Sequence, residues 1–221
     1  MILPLSYALT IKTPLYPNTP APVIRPLRSM KHGDSANTST FTLSTHSGTH
    51  IDVPRHFCNN DKTVADCLTV DTTFFPTYCI DVPKTGSEEI TVDNLEGSIT
   101  QLQDTEALLI RTGWHTIRSD DPDRYCNNHP WISPDVPQFL REKCPHLHLF
   151  GIDQISVSSV LHRDAGHLCH RNFLCDESPI LIVEDLNLSN IFKNMPFRMH
   201  IYPHFIDTLD GVPVTVIAEV P

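Results

Sequence analysis

The chain has 221 residues, of which 40% are hydrophobic, and its formal net charge is −10. This length and composition suit one enzyme-sized domain, which we expect to span residues 1–221. With this negative net charge and scattered Lys and Arg residues, the sequence contains no basic patch, so we do not expect nucleic acid as a partner. No run approaches about 18 apolar residues and the N-terminus lacks a signal-like segment, so we expect a cytoplasmic protein without membrane association.

The chain contains seven cysteines, an odd number, and no two of them are spaced as Cys-x-x-Cys. This pattern favours neither a disulfide framework nor a thiolate zinc site, so we expect reduced thiols. Cys58 follows His56 closely and could line a site, but a free cysteine is more often a small buried hydrophobic residue.

A first strand is predicted over residues 38–45, and it leads into a segment rich in possible metal ligands. Three imidazoles and one carboxylate lie within eleven residues: His46, His50, Asp52 and His56. In an extended strand they would share one face, yet His46 and His50 would be about 13 Å apart. Ligands of one ion cannot be so distant, so we expect a bend, which Gly48 permits, in a strand or loop that Pro54 ends.

Histidines are usually hydrogen-bonded surface or core residues, but this density within one segment favours a metal site. Neutral imidazoles with a carboxylate suit zinc, and they also suit manganese or iron, because no thiolate occupies the ligand spacing. The segment therefore predicts a metal, with Zn²⁺ the leading candidate and Mn²⁺ an alternative.

The remaining pattern alternates between strands and helices. We predict strands over 107–111, 147–153 and 179–184, helices over 133–143 and 160–175, and two C-terminal strands within 198–220. Ser133, with Pro134 and Asp135, has the features of a helix start. Asp210-Gly211 is a common turn pair between strands. The β-α-β-α-β order indicates a mixed α/β fold with helices flanking the sheet.

The metal-ligand segment also carries a family resemblance. The pattern His46-x-Gly-Thr-His50-x-Asp52-x-Pro-x-His56-Phe is similar to the signature of the cyclase family, which includes bacterial kynurenine formamidase and isatin hydrolase. Further matches follow in the family's order: Leu5-Ser6, Pro14-Leu15-Tyr16-Pro17, Ile110 to Trp114, His129-Pro130, Gly151 to Asp153, His170-Arg171 and Ile182 to Leu186. The resemblance implies the swivelling β/β/α architecture and a homodimer.

The resemblance adds two candidate ligands, His170 on the second predicted helix and Glu184 at the end of an apolar strand. An acid in a buried strand is unusual unless it is paired or metal-bound. One or two ions remain possible. With one ion on His46, His50 and Asp52, His56 is free as general base; with two, Asp52 bridges and His56 joins His170 and Glu184 on the second. His162 and His167 are expected on the helix surface or behind the ligands rather than among them.

Three departures from the family pattern concern the substrate and a loop. Tyr16 stands where bacterial formamidases tend to have Trp, and it could still stack on an aryl ring, so we count it as a substrate-binding candidate. Thr215 replaces an Arg that many relatives have. The interval from His170 to Glu184 is two residues longer, which a loop tolerates.

The leading hypothesis is a metal-dependent amidohydrolase that acts on a small aryl formamide or cyclic amide. Kynurenine formamidase activity in tryptophan catabolism is the best single candidate. Alternatives are a ring-opening hydrolase of the isatin or lactone kind and a polyketide-type cyclase. From another class, a non-catalytic metal-binding protein is less favoured, because the ligands exceed those of a closed four-ligand site. A plain globular protein is the remaining possibility.

Overall fold

The computed structural model describes residues 1–59, 62–69, 72–98, 102–193 and 195–221. The strands are β1 (Ile2–Pro4), β2 (Val23–Arg28), β3 (Thr38–Thr42), β4 (His50–Asp52), β5 (Thr73–Asp81), β6 (Glu89–Ile90), β7 (Ala107–Arg111), β8 (Trp131–Ile132), β9 (Leu149–Ile152), β10 (Leu181–Glu184), β11 (Phe197–Pro203) and β12 (Gly211–Glu219). The α-helices are α1 (Val64–Cys67), α2 (Asp93–Glu96), α3 (Pro122–Asn127), α4 (Val136–Lys143) and α5 (Arg163–Leu174). Short 3-10 helices cover Met30–His32, Pro54–His56 and Trp114–Ile117.

Eight strands form the main sheet in the order β1-β12-β11-β5-β7-β9-β10-β4. β4 also pairs with β12, so the sheet closes on itself. Strands β5, β7, β9 and β10 run parallel, whereas β4, β11, β12 and β1 pair antiparallel. The predicted mixed α/β fold is confirmed, and closure places β4, with two of the candidate ligands, between β10 and β12.

Strand β7 is apolar on both faces over residues 107–110, and each face packs against a different part of the core. Leu109 of β7 faces the inside of the closed sheet, where it joins Ile51 and Val183. Its neighbour Leu108 points the other way, into the cluster that includes Phe173 of α5. Strands covered on both sides are expected to be continuously apolar. No helix among the described residues is long and apolar enough to cross a membrane.

Strand 107–111 is found with its predicted bounds, and the other predicted elements exist but are shorter. The strand predicted over 38–45 ends at Thr42 and pairs only with β2, in a two-stranded ribbon whose residues are all exposed. The helix predicted from Ser133 begins at Val136, because the Val136 N–H donates to the Ser133 carbonyl in a turn before the helix. The two C-terminal strands are joined by residues 204–210, a longer connection than a tight turn.

The expectation of reduced thiols is wrong for one pair of cysteines. Cys58 and Cys175 form a disulfide with their Cα atoms 5.7 Å apart, across a sequence separation of 117 residues. Cys58 follows the turn that carries His56, and Cys175 is the C-cap of α5, which carries His170. Such a pairing depends on tertiary proximity, which cysteine spacing does not reveal.

Candidate metal centre

Gly48 bends the chain between His46 and His50. Its φ of +65° lies in a region that L side chains rarely adopt, and a Cβ there would lie 3.3 Å from Leu9 Cδ2. After the bend, His50 and Asp52 alternate along β4, so their side chains leave the same face of the strand. The ring centroids of His46 and His50 lie 5.1 Å apart. The bend expected from the sequence is therefore present.

The innermost part of the site contains four buried side chains from three elements. His50 and Asp52 come from β4, Glu184 from the end of β10, and His170 from α5. His50 Nε2 lies 3.4 Å from both Asp52 Oδ1 and Glu184 Oε2. His170 Nε2 lies 3.5 Å from Glu184 Oε1 and 3.7 Å from Asp52 Oδ2. The structure thus places His170 and Glu184, the two candidates from later in the chain, beside His50 and Asp52.

The hydrogen bonds of these two histidines leave the same ring atom directed inward. His50 Nδ1 donates to the Gly48 carbonyl at 2.8 Å, and His170 Nδ1 donates to the Gly166 carbonyl at 2.9 Å. In the neutral imidazole, Nε2 is then the lone-pair atom, as a metal ligand requires. Within the described residues, His50 Nε2 and Asp52 Oδ2 make no hydrogen bond although both are buried. Buried polar atoms without partners are costly, so this donor set fits a divalent cation.

A second set of ligand atoms lies beside the first. Ligand atoms of His46, Asp52 and His56 lie within 4.8 Å of one another, and so do those of His50, Asp52 and Glu184. Asp52 belongs to both sets, and its Oδ1 lies 2.7 Å from His46 Nδ1. The structure groups His46 with His56 and groups His50 with Glu184, whereas the sequence alternatives place His46 and His50 on the same ion.

His56 lies on the open side of the site. Pro54 begins the short 3-10 helix that ends at His56, so the chain turns directly after β4. The His56 ring stacks on His46 with centroids 3.9 Å apart, and its side chain remains 26% exposed. This imidazole is therefore accessible from solvent while it contacts the buried ligands.

Neighbouring carboxylates set the charge state of the histidines in the metal-free protein. Burial disfavours the charged form of His46, yet Asp52 and Asp210 raise its pKa to about 9. Burial acts in the same way on His50 and His170, but nearby carboxylates raise both pKa values. The cluster therefore holds protons that a bound cation would displace.

The same interactions act in reverse on the two buried carboxyl groups. Burial raises the pKa of Asp52, but the charges of His46 and His56, with hydrogen bonds from His46 and His50, together outweigh this effect and lower the pKa well below its usual range. Burial and the charge of Asp52 raise the pKa of Glu184. His170 and His50 lower it by more, so the net pKa lies below its usual range. Both groups therefore remain carboxylates, the form that binds a cation.

A hydrogen-bond network at the end of β10 holds Glu184 in place. The Val157 N–H and the Ser156 hydroxyl donate to Glu184 Oε1 at 2.7 and 3.0 Å. The next residue, Asp185, has a φ of +56° and accepts two hydrogen bonds from Arg118, both at 2.6 Å. Sequence reasoning missed this support, because nothing in the spacing links Arg118 to residue 185.

Asp210 enters the site from the connection between β11 and β12. His46 Nε2 donates to Asp210 Oδ2 at 2.9 Å, and His56 Nδ1 approaches the same oxygen at 3.3 Å. The sequence analysis interpreted Asp210 only as part of a turn. Asp210 reaches the site because β12 pairs with β4 in a register that places Gly211 opposite Asp52.

Tyr16 lies at the edge of the cluster, and two other histidines lie outside it. Burial raises the pKa of Tyr16, which is half-buried near Ser158 and Glu184. His162 is exposed and stacks on Trp131 with centroids 4.9 Å apart. His167 is exposed on α5, as expected.

Comparisons with known proteins identify the family of this chain. The family model described as "Putative cyclase" matches residues 3–159. Kynurenine formamidases from Bacillus thuringiensis subsp. konkukian and Bacillus anthracis are each 32% identical over 195 residues, which are 86% of this chain and 84% of theirs.

Solved structures support the fold. Isatin hydrolase A from Labrenzia aggregata matches with a TM-score of 0.82 at 19% identity, over 99% of this chain and 93% of that one. Isatin hydrolase A from Ralstonia solanacearum matches with a TM-score of 0.80 at 17% identity, over 99% and 91%. With the family model and the formamidase relatives covering most of its length, the chain belongs to the cyclase family that its residues 46–57 resemble.

Proposed function

We propose that this protein is a metal-dependent amidohydrolase that cleaves the C–N bond of an aryl formamide or a cyclic amide. The leading substrate is N-formylkynurenine, which would give kynurenine and formate in tryptophan catabolism. The observation that carries the proposal is the buried convergence of His50, Asp52, His170 and Glu184, with two polar atoms left unpaired. Relatives named kynurenine formamidase, 32% identical over most of the chain, support the substrate class.

Zinc is the proposed ion, with manganese as the alternative, because the ligands are imidazoles and carboxylates without thiolate. His50, Asp52, Glu184 and His170 would hold one ion, and His46, Asp52 and His56 a second. A bound divalent ion polarises a carbonyl group and lowers the pKa of bound water from about 15.7 to about 7. Asp52, which belongs to both ligand sets, is the proposed bridging carboxylate.

His56 is the proposed catalytic residue if only one ion binds. Its exposed position beside the buried ligands would let it accept a proton from water and return it to the leaving nitrogen. If two ions bind, the same imidazole serves as a ligand of the outer one. Tyr16, half-buried beside Ser158, is the proposed contact for the aryl ring of the substrate.

A ring-opening activity on isatin, a lactone or another cyclic substrate, or a polyketide-type cyclisation, is the second candidate. The observation that favours ring opening is the close fold similarity to isatin hydrolases, together with Tyr16 and Thr215 in place of the formamidase-type residues. A non-catalytic metal-binding protein is the candidate from another class. Two ligand sets that share one carboxylate exceed what a structural site needs.

The deciding experiment combines metal analysis with a substrate panel. The purified protein, reconstituted with zinc or manganese, should hold between one and two equivalents of metal and should turn over N-formylkynurenine faster than formanilide, isatin or a lactone. Removal of the metal by a chelator should abolish turnover. Metal well under half an equivalent would end the proposal, and preference for isatin or a lactone would select the second candidate.

We further propose a homodimer that buries the exposed ribbon of β2 and β3. Ile24 and Phe41 of this ribbon, with Phe205 and Ile206 of the β11–β12 connection, line an apolar cavity of about 760 Å³. Apolar surface of this kind is a usual contact for a second copy. Light scattering on the wild type and on Phe41→Glu tests the proposal, which requires that the variant be monomeric.

The cytoplasm is the proposed compartment. Four buried cysteines, Cys79, Cys126, Cys144 and Cys169, are free thiols, which suits a reducing environment. The Cys58–Cys175 disulfide instead suits an oxidising compartment. Cell fractionation, with thiol labelling of the native protein, would distinguish the two compartments.

A further inference from the structure

Asp210 contacts two imidazoles of the candidate metal centre but belongs to neither set of metal-ligand atoms. Its Oδ2 lies 2.9 Å from His46 Nε2 and 3.3 Å from His56 Nδ1. The rings of these two histidines stack on each other, with centroids 3.9 Å apart. Asp210 Oδ2 thus contacts both rings, through Nε2 of His46 and Nδ1 of His56.

The backbone around Asp210 is tied to the metal-ligand segment. The Val53 N–H donates to the Asp210 carbonyl at 3.3 Å, and Gly211 pairs with Asp52 in the ladder between β12 and β4. A Cβ at Gly211 would lie 2.7 Å from His46 Cε1 and 2.8 Å from the Ile51 carbonyl. The His46 ring therefore packs directly on residue 211, where only glycine leaves room.

His46 is oriented in the opposite way from the two buried histidines. His50 and His170 donate from Nδ1 to backbone carbonyls and direct Nε2 inward. In the metal-free protein His46 donates from Nε2 to Asp210 Oδ2 and from Nδ1 to Asp52 Oδ1, at 2.9 and 2.7 Å. Its inward atom is therefore Nδ1, whose proton a bound cation would displace. A carboxylate acceptor also makes an imidazole a stronger ligand than a carbonyl acceptor does.

We propose that Asp210 is a positioning residue, which selects the Nδ1-ligating tautomer of His46 and holds His56 against it. The inference rests on the proposed metal-dependent function, and it deepens that function by assigning a role outside the ligand sets. Asp210 acts through the two imidazoles and contacts no substrate in this role. Removing its carboxylate weakens metal binding without removing a ligand.

The test compares wild type, Asp210→Asn and Asp210→Ala with a matched control, Asp207→Asn. Asp207 is exposed on the same connection, and it accepts a hydrogen bond from the Thr208 N–H at 2.9 Å. The control thus removes the same charge three positions away. Zinc and manganese are titrated separately against a chromophoric chelator, and bound metal is counted by elemental analysis. Thermal unfolding checks that each variant is folded.

We expect Asp210→Ala to bind the same number of ions with an affinity lower by roughly 10- to 100-fold, the usual effect of losing such a partner. Asp210→Asn should lose less, because its amide oxygen still accepts from Nε2. In nitrogen-15 spectra of the zinc-loaded protein, the wild-type His46 should carry its proton on Nε2, whereas in Asp210→Ala a fraction of the protein should carry it on Nδ1, with Nε2 as the ligating atom. Asp207→Asn should match the wild type in every measurement.

Unchanged affinity and an unchanged His46 tautomer in Asp210→Ala would overturn the inference. A loss of one ion per chain in both variants would also overturn it, because Asp210 would then be a ligand. Wild-type protein that binds neither metal would overturn both this inference and the proposed function. Wild-type protein that binds metal but hydrolyses nothing on the panel would refute only the function, since the affinities would still decide the role of Asp210.

Discussion

Glu184 and His50 are direct partners in the antiparallel ladder between β10 and β4, and their Oε2 and Nε2 atoms lie 3.4 Å apart. The ladder fixes the spacing of these two side chains, and both residues are nearly fully buried. Sites built on strands are held more accurately than sites built on loops. We therefore expect this part of the centre to keep its arrangement with and without metal.

His50→Ala should lose metal and activity together. The substitution removes the imidazole between Asp52 and Glu184, and it leaves these two buried carboxylates with one partner fewer. Turnover should fall by at least about 100-fold, and bound metal should drop well below the wild-type level. His32→Ala, at an exposed histidine outside the cluster, is the control. Full metal occupancy in His50→Ala would contradict the ligand assignment.

His56→Ala distinguishes the one-ion and two-ion alternatives. If His56 carries a proton beside one ion, the variant should keep its metal and lose roughly 10²–10⁴ in kcat, with substrate binding largely spared. If His56 is a ligand of a second ion, the metal content should fall by about one equivalent. We expect the second result, because His56 groups with His46 and Asp52. Metal content and turnover must be measured on the same preparation, and no change in either would exclude His56 from the site.

The metal-free protein should lose stability as the pH rises. The pKa of His46 is raised to about 9 in the folded state, and those of His50 and His170 are raised too. A raised folded-state pKa contributes stability that is complete below the unfolded value of about 6.5 and is lost as the pH passes the folded value. Urea unfolding with a chelator present should show a decrease of about 1–3 kcal/mol between about pH 6.5 and 9.5.

His46→Gln supplies the control for this pH dependence. The variant keeps a polar side chain but cannot hold the extra proton, so its free energy of unfolding should depend less on pH across the same range. A wild-type protein that became more stable toward pH 9 would show that the histidines are not protonated in the folded, metal-free state.

The disulfide between Cys58 and Cys175 should stabilise the fold. It links residues 117 positions apart, and cross-links that close long loops restrict the unfolded chain. Reduction, or the double substitution Cys58→Ser and Cys175→Ser, should lower the free energy of unfolding by about 2–4 kcal/mol. A reductant should not change the double variant further. Equal stability of the oxidised and reduced wild type would refute the role.

Tyr16→Ala should weaken the binding of aryl substrates more than it slows their conversion. Loss of an aromatic contact costs about 0.5–1.5 kcal/mol beyond the buried area, so KM should rise by roughly 3- to 10-fold while kcat changes less. Tyr16→Phe keeps the ring and should resemble the wild type. A large loss of kcat in Tyr16→Phe would instead assign the hydroxyl to the reaction.

The local part of the centre and the class of fold could be predicted from the amino-acid sequence. His46, His50, Asp52 and His56 lie within eleven residues, so one bend at Gly48 is enough to bring them together. The apolar run at 107–110, followed by Arg111, predicted a strand over 107–111, and β7 has those bounds. Family resemblance supplied His170 and Glu184, which composition and spacing alone only suggested.

The grouping of the ligands, and the residues that support them, could not be predicted from the sequence because they depend on how the strands pair. His50 meets Glu184 because β4 pairs with β10, and Asp210 reaches His46 because β12 pairs with the other side of β4. The Cys58–Cys175 bridge likewise joins segments that are distant in sequence. Periodicity and capping rules describe neighbours within a few positions, whereas these contacts depend on the register and closure of a sheet whose strands come from the whole chain.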